Sequence, residues 1–320
     1  MAGVRCFFPL RRENHEIFMK LQLTLVSILL IATSTVHAAI FATNTPDKDA
    51  FVRALAPTSN YGGAGALSIS GTNATGNSTN GAFDSFMSFN TSAMVSNFNM
   101  SFGTSNWVVT SATLNLTENP SPGNAIFNSG TGMFQIRWIA NDSWVEGTGN
   151  PNAPTTNGIT YAQENSILNS NTDVNLGAFD FSGAAKLSCP LALPAAFVTN
   201  MQAGGEVGFF MTAIDPTIGF LFYSRNYAGN PSALPSLVVS ATLQPGISGI
   251  SISGTSLILS ATNGIAGGAY SVLGSTNLSL PINEWTPTVT NILQASGNFS
   301  IVITNGAGTN QEQFLILQSQ

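Results

Sequence analysis

The sequence predicts an all-β chain: an antiparallel, jelly-roll-like β-sandwich followed by a smaller immunoglobulin- or fibronectin-like β-sandwich. Three observations predict it. Apolar and polar residues alternate with a period of two along several short runs. Clusters of Gly, Asn, Ser and Pro punctuate those runs. No strand–helix–strand alternation appears, which leaves stacked antiparallel layers as the way to bury a core. The core material is present, since 43% of the residues are hydrophobic and 21 are Phe.

A leader comes first. Met19-Lys20 precedes the apolar stretch Leu21 to Ala32, and the small-residue site Val36-His37-Ala38 follows it. A charged start, a short apolar run and a small residue at the cleavage point read as a secretory signal peptide over residues 1–38. Met19 is a candidate for the true start. The apolar run is shorter than the roughly 20 residues of a membrane span. No second run of that length follows, so the mature chain is expected to be secreted or displayed at the cell surface without a span of its own.

The first sandwich is expected over residues 39–244. Ser111 to Thr117 alternates small or apolar with polar residues, as does Phe134-Gln135-Ile136-Arg137-Trp138. Glu206 to Ala213, Ile218 to Ser224 and Ser236 to Leu243 are further strands. Residues 71–81, 119–124, 147–158 and 226–235 are turn-rich, and the first and third are expected as loops at the sandwich ends. Only Leu191 to Ala203 reads as helical, around Pro194. A boundary falls at Gln244-Pro245-Gly246. Shorter strands follow over residues 245–320: Gly249 to Ser253, Ser256 to Ala261, Gly268 to Leu273, Gly297 to Thr304 and Gln311 to Leu317.

Composition narrows the chemistry. Both histidines, His15 and His37, lie in the leader, and beyond it the one cysteine is Cys189. That removes Ser-His-Asp and Cys-His nucleophile systems and leaves zinc without ligands. Cys189 reads as a small buried apolar residue. Five cations remain, Lys48, Arg53, Arg137, Lys186 and Arg225, too scattered for a nucleic-acid surface. Thirteen acids outnumber them, so acid-pair chemistry stays open. Asp142 and Glu146 are four apart in the Trp144 loop. They read first as turn-stabilising acids and second as a candidate calcium site, although no EF-hand spacing accompanies them. No other cofactor is expected.

Residues 47–243 resemble the DNRLRE domain, which overlaps carbohydrate-binding module family 96. Asp49-Ala50-Phe51-Val52-Arg53 and then Asn60-Tyr61-Gly62 match the family's opening pattern. Ser85 to Asn90 stands where members have a strand of the type L-x-R-F-D. Val109 to Leu116 matches I-x-S-A-x-L-x-L, and Trp138 to Gly147 matches the W-x-E loop. Gly158 to Tyr161 takes the place of a T-W strand, and Phe220 to Arg225 with Pro235-Ser236-Leu237 matches the closing segment. The family's strand arginine and aspartate are Ser88 and Asn90 here, and its T-W tryptophan is Tyr161. Residues 270–299 are similar to a small C-terminal β domain of secreted proteins from environmental bacteria, where attachment or sorting is the implied role.

The resemblance implies a non-catalytic glycan-binding protein, and some family members bind alginate. A sugar ring stacks on an aromatic face and needs a few fixed polar groups around it. Trp144, Tyr61, Tyr161, Tyr223 and Tyr227 are the aromatics in or beside polar loops. Arg53, Arg225, Asn60, Asn226 and Asp142 are hydrogen-bonding neighbours. Trp138, on a strand, reads as core, while Trp144 and Tyr227 fit either core or surface. An alginate-like polyanion wants more cations than this chain offers, so a neutral glycan stands beside it as the expected partner. The chain is expected to act as a monomer. A structural or adhesive protein that uses the sandwich as a spacer is the alternative, and a polysaccharide lyase or hydrolase is a third.

Overall fold

The computed structural model describes residues 39–74, 81–104, 106–120, 126–127, 131–181, 183, 185–264, 267–293, 297–304 and 314–319. The leader read over residues 1–38 lies outside them, as do most of 71–81 and 119–124. The chain separates into two compact units, one spanning Ala38–Gln244 and one holding Pro245–Gln320.

The strands of the first unit are β1 (Ile40–Asn44), β2 (Lys48–Arg53), β3 (Ala66–Ser70), β4 (Phe83–Asn90), β5 (Trp107–Thr117), β6 (Gly132–Ile139), β7 (Val174–Phe181), β8 (Lys186–Pro190), β9 (Glu206–Ala213), β10 (Gly219–Tyr223) and β11 (Ser236–Leu243). They form a four-stranded sheet, β1-β11-β5-β8, and a seven-stranded sheet, β10-β3-β4-β9-β6-β7, with β2 also on β4. Every pairing between them is antiparallel. This is the antiparallel sandwich that the alternating runs predict.

The main core lies between the sheets. Met87 and Phe89 of β4, Phe209 and Met211 of β9, and Phe134, Ile136 and Trp138 of β6 meet Ala112, Leu114 and Leu116 of β5 and Leu237 and Val239 of β11. Trp138 is core, as its strand position implies, and its indole N–H donates to Asn200 at 3.1 Å. Cys189 is fully buried in the same core.

The larger sheet is apolar on its other face too. Adjacent residues such as Phe86-Met87 and Phe209-Phe210 point to opposite sides of a pleated strand. Phe86 and Phe210 are register partners on that outer face. Ala50 and Val52 join them, and residues 142–168 cover the group with Trp144, Ile159 and Ile167. The expected end loop 147–158 is thus part of a cover laid across the sheet face. A strand buried on both sides reads as a continuous apolar run, and it needs such a cover.

Two helices, of 9 and 11 residues, accompany the sheets of the first unit. The segment read as helical over Leu191 to Ala203 is a helix only over Ala195–Ala203, starting where Pro194 fixes the extended entry. A second helix, Ser92–Phe102, has no counterpart in the strand-dominated reading. Its Met94, Phe98 and Phe102 are buried at spacings of four, one face of a helix. Ser and Asn between them, poor helix formers, masked the signal.

The second unit is a small sandwich of two three-stranded sheets. Its strands are β12 (Gly246–Ser253), β13 (Ser256–Gly264), β14 (Ala269–Ser275), β15 (Thr286–Ile292), β16 (Gly297–Ile303) and β17 (Phe314–Ser319). Leu259, Val272, Ile301 and Ile303 form its core. The run of β15, interrupted by Pro287, carried no strand signal.

Candidate functional site

Several predicted site residues converge, but on structure. Asn60 is fully buried. Its Nδ2 donates to the carbonyls of Glu146 (2.7 Å) and Ile159 (2.9 Å). Its Oδ1 accepts from the backbone N–H of Gly62 and of Gly149, both at 3.2 Å. A primary amide is the one side chain that supplies two donors and an acceptor with two lone pairs. Gly62, Gly149 and Gly158 lie so close to this knot that a Cβ would collide with the Glu146 carbonyl or with Asn60 itself. The Asn60-Tyr61-Gly62 motif is therefore an anchor for the 142–168 cover.

Tyr61 is correspondingly not a sugar platform. Its ring stacks on Phe51 at 4.6 Å and 5°. The Arg53 guanidinium lies 5.6 Å from the same ring centroid, which places Arg53 in this packing as well. Trp144 is also corrected. Only 4% of it is exposed, its ring packs 5.7 Å from Phe86, and the Lys48 ammonium sits 4.8 Å from its centroid. Both aromatics are in polar segments by sequence, yet each is the apolar foot that pins its segment to a sheet face.

The candidate calcium pair is corrected in the same way. Glu146 Oε1 accepts from Asp49 N (3.0 Å) and Asn226 Nδ2 (2.9 Å), and Oε2 accepts from Arg225 Nη1 at 2.5 Å. Asp142 lies over Gly208 instead, beside Lys48 and Glu206. Burial raises its carboxyl to about 6, Lys48 opposing and Glu206 adding to the rise. The cation at this place is Lys48, whose Nζ reaches the carbonyls of Asp142 (2.7 Å) and Trp144 (3.1 Å) and Glu206 Oε2 (2.6 Å). Among the described residues, no three His, Cys, Asp or Glu side chains group as a metal site. Next to Glu146, Asp49 is buried and its Oδ2 accepts from Arg225 N at 2.7 Å. Burial, with Glu146 adding, pushes Asp49 up to about 7.

Among the described residues, two of the places open to a ligand carry predicted site residues that are not buried. The first is a ledge at the end of β10. Tyr223 and Tyr227 pack with centroids 4.0 Å apart and an interplanar angle of 32°. The turn between them is tied by Asn226 N to Ser224 Oγ (3.1 Å) and Tyr227 N to Ser224 O (3.1 Å). Gly229 closes against Tyr227, where a Cβ would meet the ring. The Tyr223 hydroxyl is raised above the ordinary phenol value, chiefly by its hydrogen bond with Tyr227. Arg225, 34% exposed at its side chain, and exposed Asn226 flank the pair.

The second is a pocket of about 410 Å³ on the outer face of the larger sheet. Asp84 of β4, Arg137 of β6 and Phe210 and Thr212 of β9 line it, with Tyr161, Glu164 and Leu168 from the cover. Tyr161 is the only predicted site residue here. Asp84 is raised to about 6 by burial, opposed by a hydrogen bond with the Thr212 side chain. Glu164 is raised to about 8 by burial and then by Asp84. Tyr161 is raised by burial, then Glu164 and Asp84. The sequence did carry one signal for this pocket: Asp84 is an acid inside the apolar run Phe83-Asp84-Ser85-Phe86.

No protein-family model matches the chain, and no curated protein sequence matches it either. Among solved structures, the Macrobrachium rosenbergii nodavirus is similar at 10% identity, over 100% of this chain and 96% of that one, with a TM-score of 0.22. The T=1 Penaeus vannamei nodavirus is similar at 10% identity, over 88% of this chain and 99% of that one, with a TM-score of 0.23. A glycoside hydrolase domain, Endo-D from Streptococcus pneumoniae, is similar at 9% identity, over 88% of this chain but 37% of its own length, with a TM-score of 0.15. At TM-scores this low, none of these likenesses bears on what the chain does.

Proposed function

We propose that this is a secreted, non-catalytic carbohydrate-binding protein whose first sandwich holds a glycan on the Tyr223–Tyr227 ledge. One observation carries the proposal: the paired tyrosines, both predicted and both partly exposed, are already locked together. A rigid aromatic face takes a sugar ring at little entropic cost. Arg225 offers donors at its edge and Asn226 its amide oxygen, since both protons of Asn226 Nδ2 go to Gly62 O (2.8 Å) and Glu146 Oε1 (2.9 Å). One stacked ring contributes about 1 kcal/mol beyond area burial, so affinity falls in the range of about micromolar to millimolar. The resemblance of residues 47–243 to the DNRLRE domain supports the same reading, with attachment as the role of the second unit. Titration of alginate and of a neutral glucan into the protein, against Tyr223→Ala, tests it. Loss of binding at an unchanged melting temperature supports it, and unaltered binding rejects it.

The spacer alternative gains from the same structure. Trp144, Tyr61, Asn60 and Arg53 are absorbed into packing and the cover anchor. If neither polymer binds, an adhesive or spacing role becomes the better reading.

A further inference from the structure

The outer-face pocket is a second place, apart from the ledge. The ledge lies at the Tyr223 end of β10, whereas the pocket lies at the opposite end, where Gly219 pairs with Ser70. Its volume is within the usual range of small-molecule sites, about 300–1,000 Å³. Asp84 and Glu164 both line it. Asp84 is 5% exposed. Glu164 Oε2 is shielded from solvent with no hydrogen-bond partner among the described residues. Arg137 is the one cation among the described lining residues, and its Nη2 faces Asp173 Oδ2 at 3.7 Å. Two carboxyls thus share a sheltered pocket whose cation is turned to a third acid.

We propose that this pocket binds a primary ammonium carried on a hydroxylated, sugar-sized skeleton, the class of an amino sugar. The ammonium sits between Asp84 and Glu164, and the skeleton lies against Tyr161, Leu168 and Phe210. A bare calcium ion fits less well. It takes about six to eight oxygens, while Asp84 and Glu164 are the two carboxyls of this lining and the cation Arg137 stands beside them. The groups facing the two carboxyls fit the same occupant. Asp84 faces the Thr212 hydroxyl, Glu164 and Tyr161 face Asp84, and Arg137 stays with Asp173. With Glu164 raised to about 8, the empty pocket holds a proton near neutral pH. A bound ammonium favours the ionised carboxylate and expels that proton.

Calorimetry of the full-length protein with glucosamine, N-acetylglucosamine, glucose and calcium chloride, in two buffers of different ionisation enthalpy near about pH 7, tests this. Glucosamine is expected to bind with release of close to one proton. N-acetylglucosamine and glucose are expected to be weaker by about tenfold or more. Glu164→Gln is expected to weaken glucosamine by about tenfold and abolish the proton release. Asp84→Asn is a second variant. If it unfolds the sandwich, Glu164→Gln, on the partly exposed cover, still decides. Equal binding of N-acetylglucosamine, binding of calcium with no binding of glucosamine, or no binding at all overturns the inference. Tyr223→Ala measured in parallel separates the two sites: it should leave glucosamine binding intact whatever happens at the ledge.

Discussion

The Asn60 side-chain amide donates to the carbonyl oxygen of Glu146 at 2.7 Å, although 86 positions separate the two residues. That bond and its neighbours fasten the 142–168 cover to the segment between β2 and β3. They also hold Glu146 where Arg225 Nη1 reaches it at 2.5 Å. The exposed ledge turn is therefore positioned, through Arg225 and Asn226, by a fully buried amide.

Asn60→Ala is expected to destabilise the first sandwich by more than about 2 kcal/mol. It orphans several buried backbone groups at once, each worth about 1–3 kcal/mol. Gly62→Ala should cost about 1–3 kcal/mol by forcing the cover away from the sheet. Denaturant unfolding of both variants checks this, and wild-type midpoints would show that the knot is dispensable.

Trp144→Ala is expected to cost about 3–5 kcal/mol, because it empties the centre of the outer-face cluster. Tyr223→Ala, at the surface, should stay within about 1 kcal/mol of the parent. Thermal melts of the two side by side distinguish a core aromatic from a ledge aromatic.

Stability should depend on pH in an unusual direction. Asp49, Asp84, Asp142 and Glu164 are raised in the folded chain to about 7, 6, 6 and 8. Between their ordinary values, about pH 4, and those folded values, the native state binds more protons than the unfolded one. Their contribution is greatest at the acid end and is lost as pH rises through about 8. The melting temperature is expected to fall from about pH 4.5 to pH 8, and Glu164→Gln to flatten the upper part of that slope. A melting temperature that rises across the window would contradict these shifts.

Cys189 should be inert in the folded protein. Burial pushes its thiol up to about 12, and the thiolate is the reactive species. Alkylation with iodoacetamide should require denaturant. Rapid labelling of the native protein would place the thiol at the surface.

Much of the sandwich was legible because its strands keep the alternation that a two-layer core imposes. Glu206–Ala213 and Ser236–Leu243 have the bounds that their periodicity implies. The edge strand β1 gave no such signal, because Ile40 and Ala42 pack on the core while the large apolar Phe41 between them faces solvent and hides the alternation. The site was less legible for a related reason. Trp144 and Tyr61 sit among Gly, Asn and Ser, which reads as surface, but Trp144 crosses the apolar outer face of the larger sheet and Tyr61 enters a separate cluster with Phe51, Phe83 and Leu221; only the fold reveals either. Asp84 and Glu164 are 80 residues apart in sequence. Only the pairing of β4 with β9 and the return of the cover bring them to one pocket.

The most direct test is titration of alginate and a neutral glucan into the protein and into Tyr223→Ala, with the melting temperature of each recorded. A glycan-binding ledge predicts that one polymer binds the parent at about micromolar to millimolar strength. It also predicts that the variant loses that binding while melting within a few degrees of the parent. Binding that survives in Tyr223→Ala, or a parent that takes neither polymer, would contradict it.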